Sequence, residues 1–364
     1  MAAMPQMQRA ELARAISAVE NAEAGQEELI RAGYRRFAEM RIVGVTGPPG
    51  SGKSTMVDAL SASWAAQGRL TAVIAVDPSS PFSGGAVLGD RFRMRRAEER
   101  GDVFIRSVAA RGHPGGLGAA VPDICVVLSA FGFQRVLVET VGSGQTDVDI
   151  KDHADTVIVT SVPGLGDSMQ AAKAGIMEIG DIYAVNKADL PGADRVHSDI
   201  EAMLHLAYQP LMPSAGSASR RLLRGEQMLK NRHGGTAGVP AWQPPVVSLT
   251  AATADGIDRL SDAIDRHLAW LEQSGHFASH RLAMQRTQLG QRVWRELRSR
   301  LEQRRAGDSD QLTHWARLIL SAEANVDDAV GAMLGGGEHI QPATKKAARD
   351  DSRPDHRMKR RLES

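Results

Sequence analysis

The run RIVGVTGPPGSGKSTMVDAL, from Arg41 to Leu60, constrains the fold of this chain more than any other segment. Gly47, four further residues, and then Gly52-Lys53-Ser54 complete a glycine-rich phosphate-loop pattern. Ile42 to Val45 supply a short apolar strand before it, and Val57, Leu60 and Trp64 recur at helical spacing after it. A strand that enters a glycine turn and opens a helix aims backbone N–H groups and the positive helix end at one point, which suits a phosphate. Gly47, Pro48, Pro49, Gly50, Ser51, Gly52, Lys53, Ser54 and Thr55 are therefore expected to form a phosphate cradle. In it Lys53 would reach the β- and γ-phosphates and the Ser54 hydroxyl would hold magnesium.

Such a loop needs a sheet around its strand, and the sequence supplies one. IVGVT, TAVIAVD, VFIRSV, RVLVET, TVIVTSV, IYAVNK and VVSLT are apolar on both faces and alternate with helical patterns. This predicts an α/β fold with a doubly wound, mostly parallel sheet covered on both sides, its ligand lying beyond the carboxyl ends of the strands. Asp77, Glu139, Pro163-Gly164, Asn186-Lys187 and Thr250 all fall at those ends, so they are read as one site.

Leu12, Ile16 and Val19 mark an amphipathic N-terminal helical extension over residues 1–38, ahead of a nucleotide domain over 39–256. From Ile257 the pattern is helical. Ile257, Leu260, Ile264, Leu268 and Leu271 define one helix, and Leu282, Leu289, Val293, Leu297 and Leu301 define a longer, charge-rich one. The region 257–334 is read as helical, its long helix an arm that packs on the domain or on a second copy of the chain. Residues 335–364 are polar, basic and expected to be disordered.

The 364 residues contain one cysteine, Cys125, inside the apolar run ICVVL, which fits a core position in a reducing, cytoplasmic setting. No apolar run is long enough to span a bilayer, and the N-terminus lacks a signal-peptide core, so no membrane partner is expected. A net charge of +1 argues against a nucleic-acid-coating surface.

Asn186-Lys187-Ala188-Asp189 points to the base. A carboxylate at the base edge accepts both guanine N1–H and the exocyclic amine, whereas adenine offers an acceptor there, so GTP and GDP are favoured over ATP. Glu139-Thr140-Val141-Gly142 stands where an acidic residue would lie near magnesium and a glycine N–H near the γ-phosphate. Asp77 and Asp90, in a long glycine- and serine-rich loop, are candidate ligands of magnesium or of its water shell. His113 and His153 have no metal-ligand spacing and are read as non-ligands.

GPPGSGKST, VDPSSPFSGGAVLGDR, RSVAARGHPGGL, ETVGSGQTDVDI, PGLGDSMQAAKAGIMEIGD and VNKADL together resemble the MeaB/ArgK family of P-loop GTPases, from about Ala13 to about Leu334. The resemblance implies a homodimeric GTPase that acts as a chaperone for an adenosylcobalamin-dependent acyl-CoA mutase, gating cofactor delivery and protecting or reactivating the enzyme. It implies Lys53, Glu139 and Gln145 as catalytic, and Ser54, Asp77, Asp90 and Glu139 as the magnesium positions. It also implies Asp189 as the guanine reader, Thr250-Ala251-Ala252 as a base-contacting loop, and Gly164 to Lys173, including Asp167, as a switch toward the mutase. Ser143 stands where valine is usual and Thr250 where serine is usual, and Gln145 lies further from the acidic residue than its Ras-like counterpart. Two alternatives stand beside this reading. A kinase of the arginine/ornithine transport description would need a catalytic base, which the motifs lack. A nickel-delivery GTPase would need Cys or His ligands in the switch region.

Overall fold

Seven strands form the sheet: β1 (Arg41–Thr46), β2 (Thr71–Asp77), β3 (Val103–Ala109), β4 (Arg135–Thr140), β5 (Thr156–Ser161), β6 (Ile182–Val185) and β7 (Val246–Ser248). The computed structural model describes residues 6–77, 103–109, 120–140, 148–164, 176–208 and 233–334, apart from residues 22, 24, 235, 237 and 308. The spatial order is β3-β2-β4-β1-β5-β6-β7 and each pairing is parallel. The strand order reverses at β1, which lies between β4 and β5, so its carboxyl end faces the crevice where doubly wound folds place ligands. All seven apolar runs of the sequence became strands.

Alternation along each strand divides the core. Ile42, Ile74, Val136 and Val157 join a buried cluster with Leu12 and Ile16 of α1 (Gln6–Glu20) and with Ile124, Val127 and Leu128 of α4 (Val121–Ala130); α2 (Glu27–Arg36) adds Leu29 and Ile30. Val43, Val45, Val73, Leu137 and Ile158 face the other way. They pack with Met56, Leu60 and Trp64 of α3 (Lys53–Ala66) and with Leu260, Ile264 and Leu268 of α6 (Ile257–Gln273). Helices on both faces explain why the strands carry no polar side. The Trp64 indole donates to Ser261 Oγ at 2.8 Å, tying the phosphate-loop helix to α6.

The chain forms two compact units, Met1–Gln291 and Arg292–Ser364. Within the first, α5 (Ala193–Tyr208) packs near β6 and β7, and α7 (His276–Gly307) begins. Arg281 on α7 is held inside: its guanidinium donates to Asp155 Oδ2 at 2.6 Å and to Met40 O at 2.7 Å, while Asp155 accepts the Ile42 N–H at 2.7 Å. The second unit carries the rest of α7, then α8 (Ser309–Leu320) and α9 (Val326–Leu334). Among the described residues of the long helix, Leu282 and Leu289 in the first unit and Trp294 in the second are 62%, 64% and 74% exposed. No described helix is long and apolar enough to cross a membrane.

Candidate nucleotide site

The loop after β1 takes its shape from close backbone approach. Gly47 has φ +144°, and a β-carbon there would lie 2.4 Å from the Thr160 carbonyl on the neighbouring strand. Gly52 caps α3 at φ +81°, where a β-carbon would lie 2.3 Å from Asn186 Nδ2. Both positions therefore require glycine on conformation and on space. Lys53, the first residue of the helix, is buried, and its ammonium donates to Gly47 O at 2.8 Å and Pro48 O at 3.1 Å. The ammonium is thus drawn back over the loop, where a phosphate held by the backbone amides would meet it.

Asn186 joins three segments. Its Nδ2 donates to Ser51 O at 2.9 Å, while its Oδ1 accepts from Lys187 N at 2.8 Å and Ala251 N at 3.0 Å. Lys187 stands in the left-handed region at φ 57°, and its ammonium reaches back to Gly50 O at 3.0 Å. The phosphate loop, the end of β6 and the Thr250-Ala251-Ala252 turn are thereby fixed to one another. Thr250 Oγ1 donates to Asp189 Oδ1 at 3.3 Å; Asp189 is exposed and Thr250 half-buried, so the carboxylate is open to a base edge.

Ser54 Oγ donates to Glu139 Oε1 at 2.6 Å, from the first turn of α3 to the end of β4. A hydroxyl and a carboxylate beside a phosphate cradle are hard oxygen donors, the set that magnesium takes. The Ser51 hydroxyl is buried within the loop without a hydrogen-bond partner, which suits a cradle whose polar groups turn toward a ligand. The residues present therefore fit a magnesium nucleotide.

Asp77 closes β2, its backbone pairing with Ala109, and Gly164 lies in a turn after β5 at φ +84°. Asp90, Gln145, Asp167, Lys173 and the tail after Leu334 lie outside the described residues. One cluster escaped the sequence reading. Asp181, His233 and His267 meet in the core, but Asp181 and His233 are 52 residues apart in the sequence and β7 lies between His233 and His267, so no local spacing announces them.

The family description "Methylmalonyl Co-A mutase-associated GTPase MeaB" matches residues 12–308. The chain belongs to the MeaB family. Among relatives of this MeaB-family GTPase, a Pyrococcus abyssi protein named as a GTPase is 44% identical over 269 residues, which cover 74% of this chain and 75% of that one. GTPase ArgK of Escherichia coli is 33% identical over 274 residues, covering 74% and 75%. The mouse methylmalonic aciduria type A homolog, a mitochondrial protein, is 29% identical over 291 residues, covering 75% of this chain and 63% of its own length. Among solved structures, one titled LAO/AO transport system kinase aligns with a TM-score of 0.58 at 24% identity, covering 91% and 93% of the two chains. At that identity the likeness speaks to the fold.

Proposed function

We propose that this GTPase binds GTP and GDP with magnesium and uses hydrolysis to regulate an adenosylcobalamin-dependent acyl-CoA mutase. Asn186 carries the nucleotide part: one side chain holds the phosphate loop, the Asn-Lys-Ala-Asp turn and the Thr250 turn together, so phosphate and base readers are preset around one ligand. Lys53 and the loop amides would stabilise charge on the phosphoryl oxygens, Ser54 and Glu139 would hold magnesium with Asp77 and Asp90, and Asp189 would select guanine. Bound magnesium would supply charge neutralisation between the phosphates. Gln145 and the segment from Gly164 through Asp167 to Lys173 are assigned to hydrolysis and to signalling toward the mutase.

The mutase reading rests on the family description, which names a mutase association, and on the mouse relative. The exposed stripe of α7 supports a homodimer, because twofold self-association is the commonest way such a face is covered. The test is to measure binding of the mutase encoded nearest this protein's gene with GDP and with a non-hydrolysable GTP analogue. Different affinities in the two states, with faster hydrolysis in the complex, support the reading. A mutase that neither binds nor changes the hydrolysis rate rejects it.

A further inference from the structure

At the amino ends of β5 and β6, away from the nucleotide edge, three polar side chains converge in the core. Asp181, just before β6, and His233 are fully buried, and His267 on α6 is almost so. Asp181 Oδ2 accepts the Val157 N–H at 2.7 Å, which fixes the carboxylate and leaves Oδ1 facing the two imidazoles. His233 Nε2 lies 2.6 Å from Oδ1 and His267 Nε2 lies 3.7 Å from the same atom. His267 Nδ1 is 2.9 Å from Thr156 Oγ1, and the Trp242 indole donates to Asp181 O at 2.9 Å. Trp242 and Trp270 lie against His267, with ring centroids 4.8 and 5.8 Å away. One candidate ligand atom from each of the three residues lies within 4.8 Å of the other two.

A buried carboxylate requires charge compensation. A hydrogen-bonded Asp181–His233 pair would supply some, and the His267 imidazole on the same oxygen completes a set of three candidate ligands. In the tautomer whose Nδ1–H donates to Thr156 Oγ1, His267 Nε2 presents a lone pair toward Asp181 Oδ1, and a cation between them would be held by both. We infer that Asp181, His233 and His267 form a buried divalent-metal site, with zinc the ion that its two nitrogens and one oxygen suit. Ligands about 2.0–2.2 Å from a tetrahedral zinc stand roughly 3.3–3.6 Å apart, so the Asp181–His233 contact opens by somewhat under an ångström and the Asp181–His267 contact hardly moves. Thr156 then orients the His267 ring, as outer partners of metal-bound imidazoles do. The ion joins the His233 segment to β6 and α6, and this role is independent of the nucleotide reading.

The test measures metal content in the full chain, purified without a histidine tag, before and after loading with zinc and removal of free ion. One zinc per chain is expected, unchanged by Ser54→Ala at the phosphate loop and lost in His233→Gln and His267→Gln. Chelation should lower the melting temperature and added zinc should restore it. A folded wild-type chain that takes up no stoichiometric zinc overturns the site and leaves a hydrogen-bonded His233–Asp181 pair in its place. Metal retained by both histidine variants also overturns it. Should those variants fail to fold, cobalt replacement in the wild type decides: the intense visible bands of a tetrahedral nitrogen and oxygen site support the inference, and their absence rejects it.

Discussion

In the proposed reaction Lys53 would bring a positive charge to the point where phosphoryl oxygens gain charge during transfer, and the backbone amides around it could not replace that charge. Lys53→Ala is expected to lower GTP turnover by roughly 10²- to 10³-fold, as loss of one strong stabilising donor does elsewhere, in a steady-state phosphate-release assay. Asp189 sits at the rim beside Thr250, where its carboxylate can meet a base edge. Asp189→Asn reverses one hydrogen-bond polarity, so GTP affinity should fall by about 10²-fold, some 3 kcal/mol, while xanthosine triphosphate gains; calorimetric titration with both nucleotides checks this. His153 behaves differently. Burial without a hydrogen-bond partner pushes its imidazole down from 6.5 to about 4. The unfolded chain therefore takes up a proton that the folded chain refuses between those values, so stability falls as pH drops through that window, by up to roughly 3 kcal/mol. His153→Leu should flatten that part of the curve of denaturation midpoint against pH. The phosphate-loop residues were legible because they are consecutive, and Asn186 because it opens a short motif. The convergence on Asp181 was not, because it depends on which strand start and which helix face come together.

Strands were the most readable elements. A run apolar on both faces has few places to go except between two helical layers, and all seven such runs went there. The helix Ile257–Gln273 was equally plain, its stripe filling the core against Trp64 and Val43. The long helix after it shows the limit of periodicity: an apolar stripe predicts that something covers it, not what does so. The proposed homodimer predicts that Leu289→Ser with Trp294→Ser gives a monomer in light scattering at micromolar concentration where the wild type gives a dimer, with little change in melting temperature, because both side chains are exposed. Asn186→Ala belongs to this scale as well, since it cuts the link between three loops. Loss of its bonds should cost roughly 1–3 kcal/mol and weaken GDP and GTP binding together, without the change in base preference expected of Asp189→Asn.

For the molecule as a whole, the sheet order carries a consequence in time. The strand that enters the phosphate loop is the first made, yet its partners come late: Arg41 pairs with Arg135, and Val43 with Thr156. Chains grow at about 5–20 residues per second, so β1 must wait on the order of 5 to 20 s for its first neighbour to be synthesised. Long-range parallel pairing of this kind is slow to form and leaves apolar edges open meanwhile. Nascent chains stalled before Arg135 should be cut rapidly within β1 by a protease, and chains stalled after the end of β5, with enough further length to clear the ribosome, should resist. Ribosomes that release this protein too early would thus release an uncovered Ile42-Val43-Gly44-Val45 strand, and yield during overexpression should depend on holding chaperones more than on the final stability of the fold.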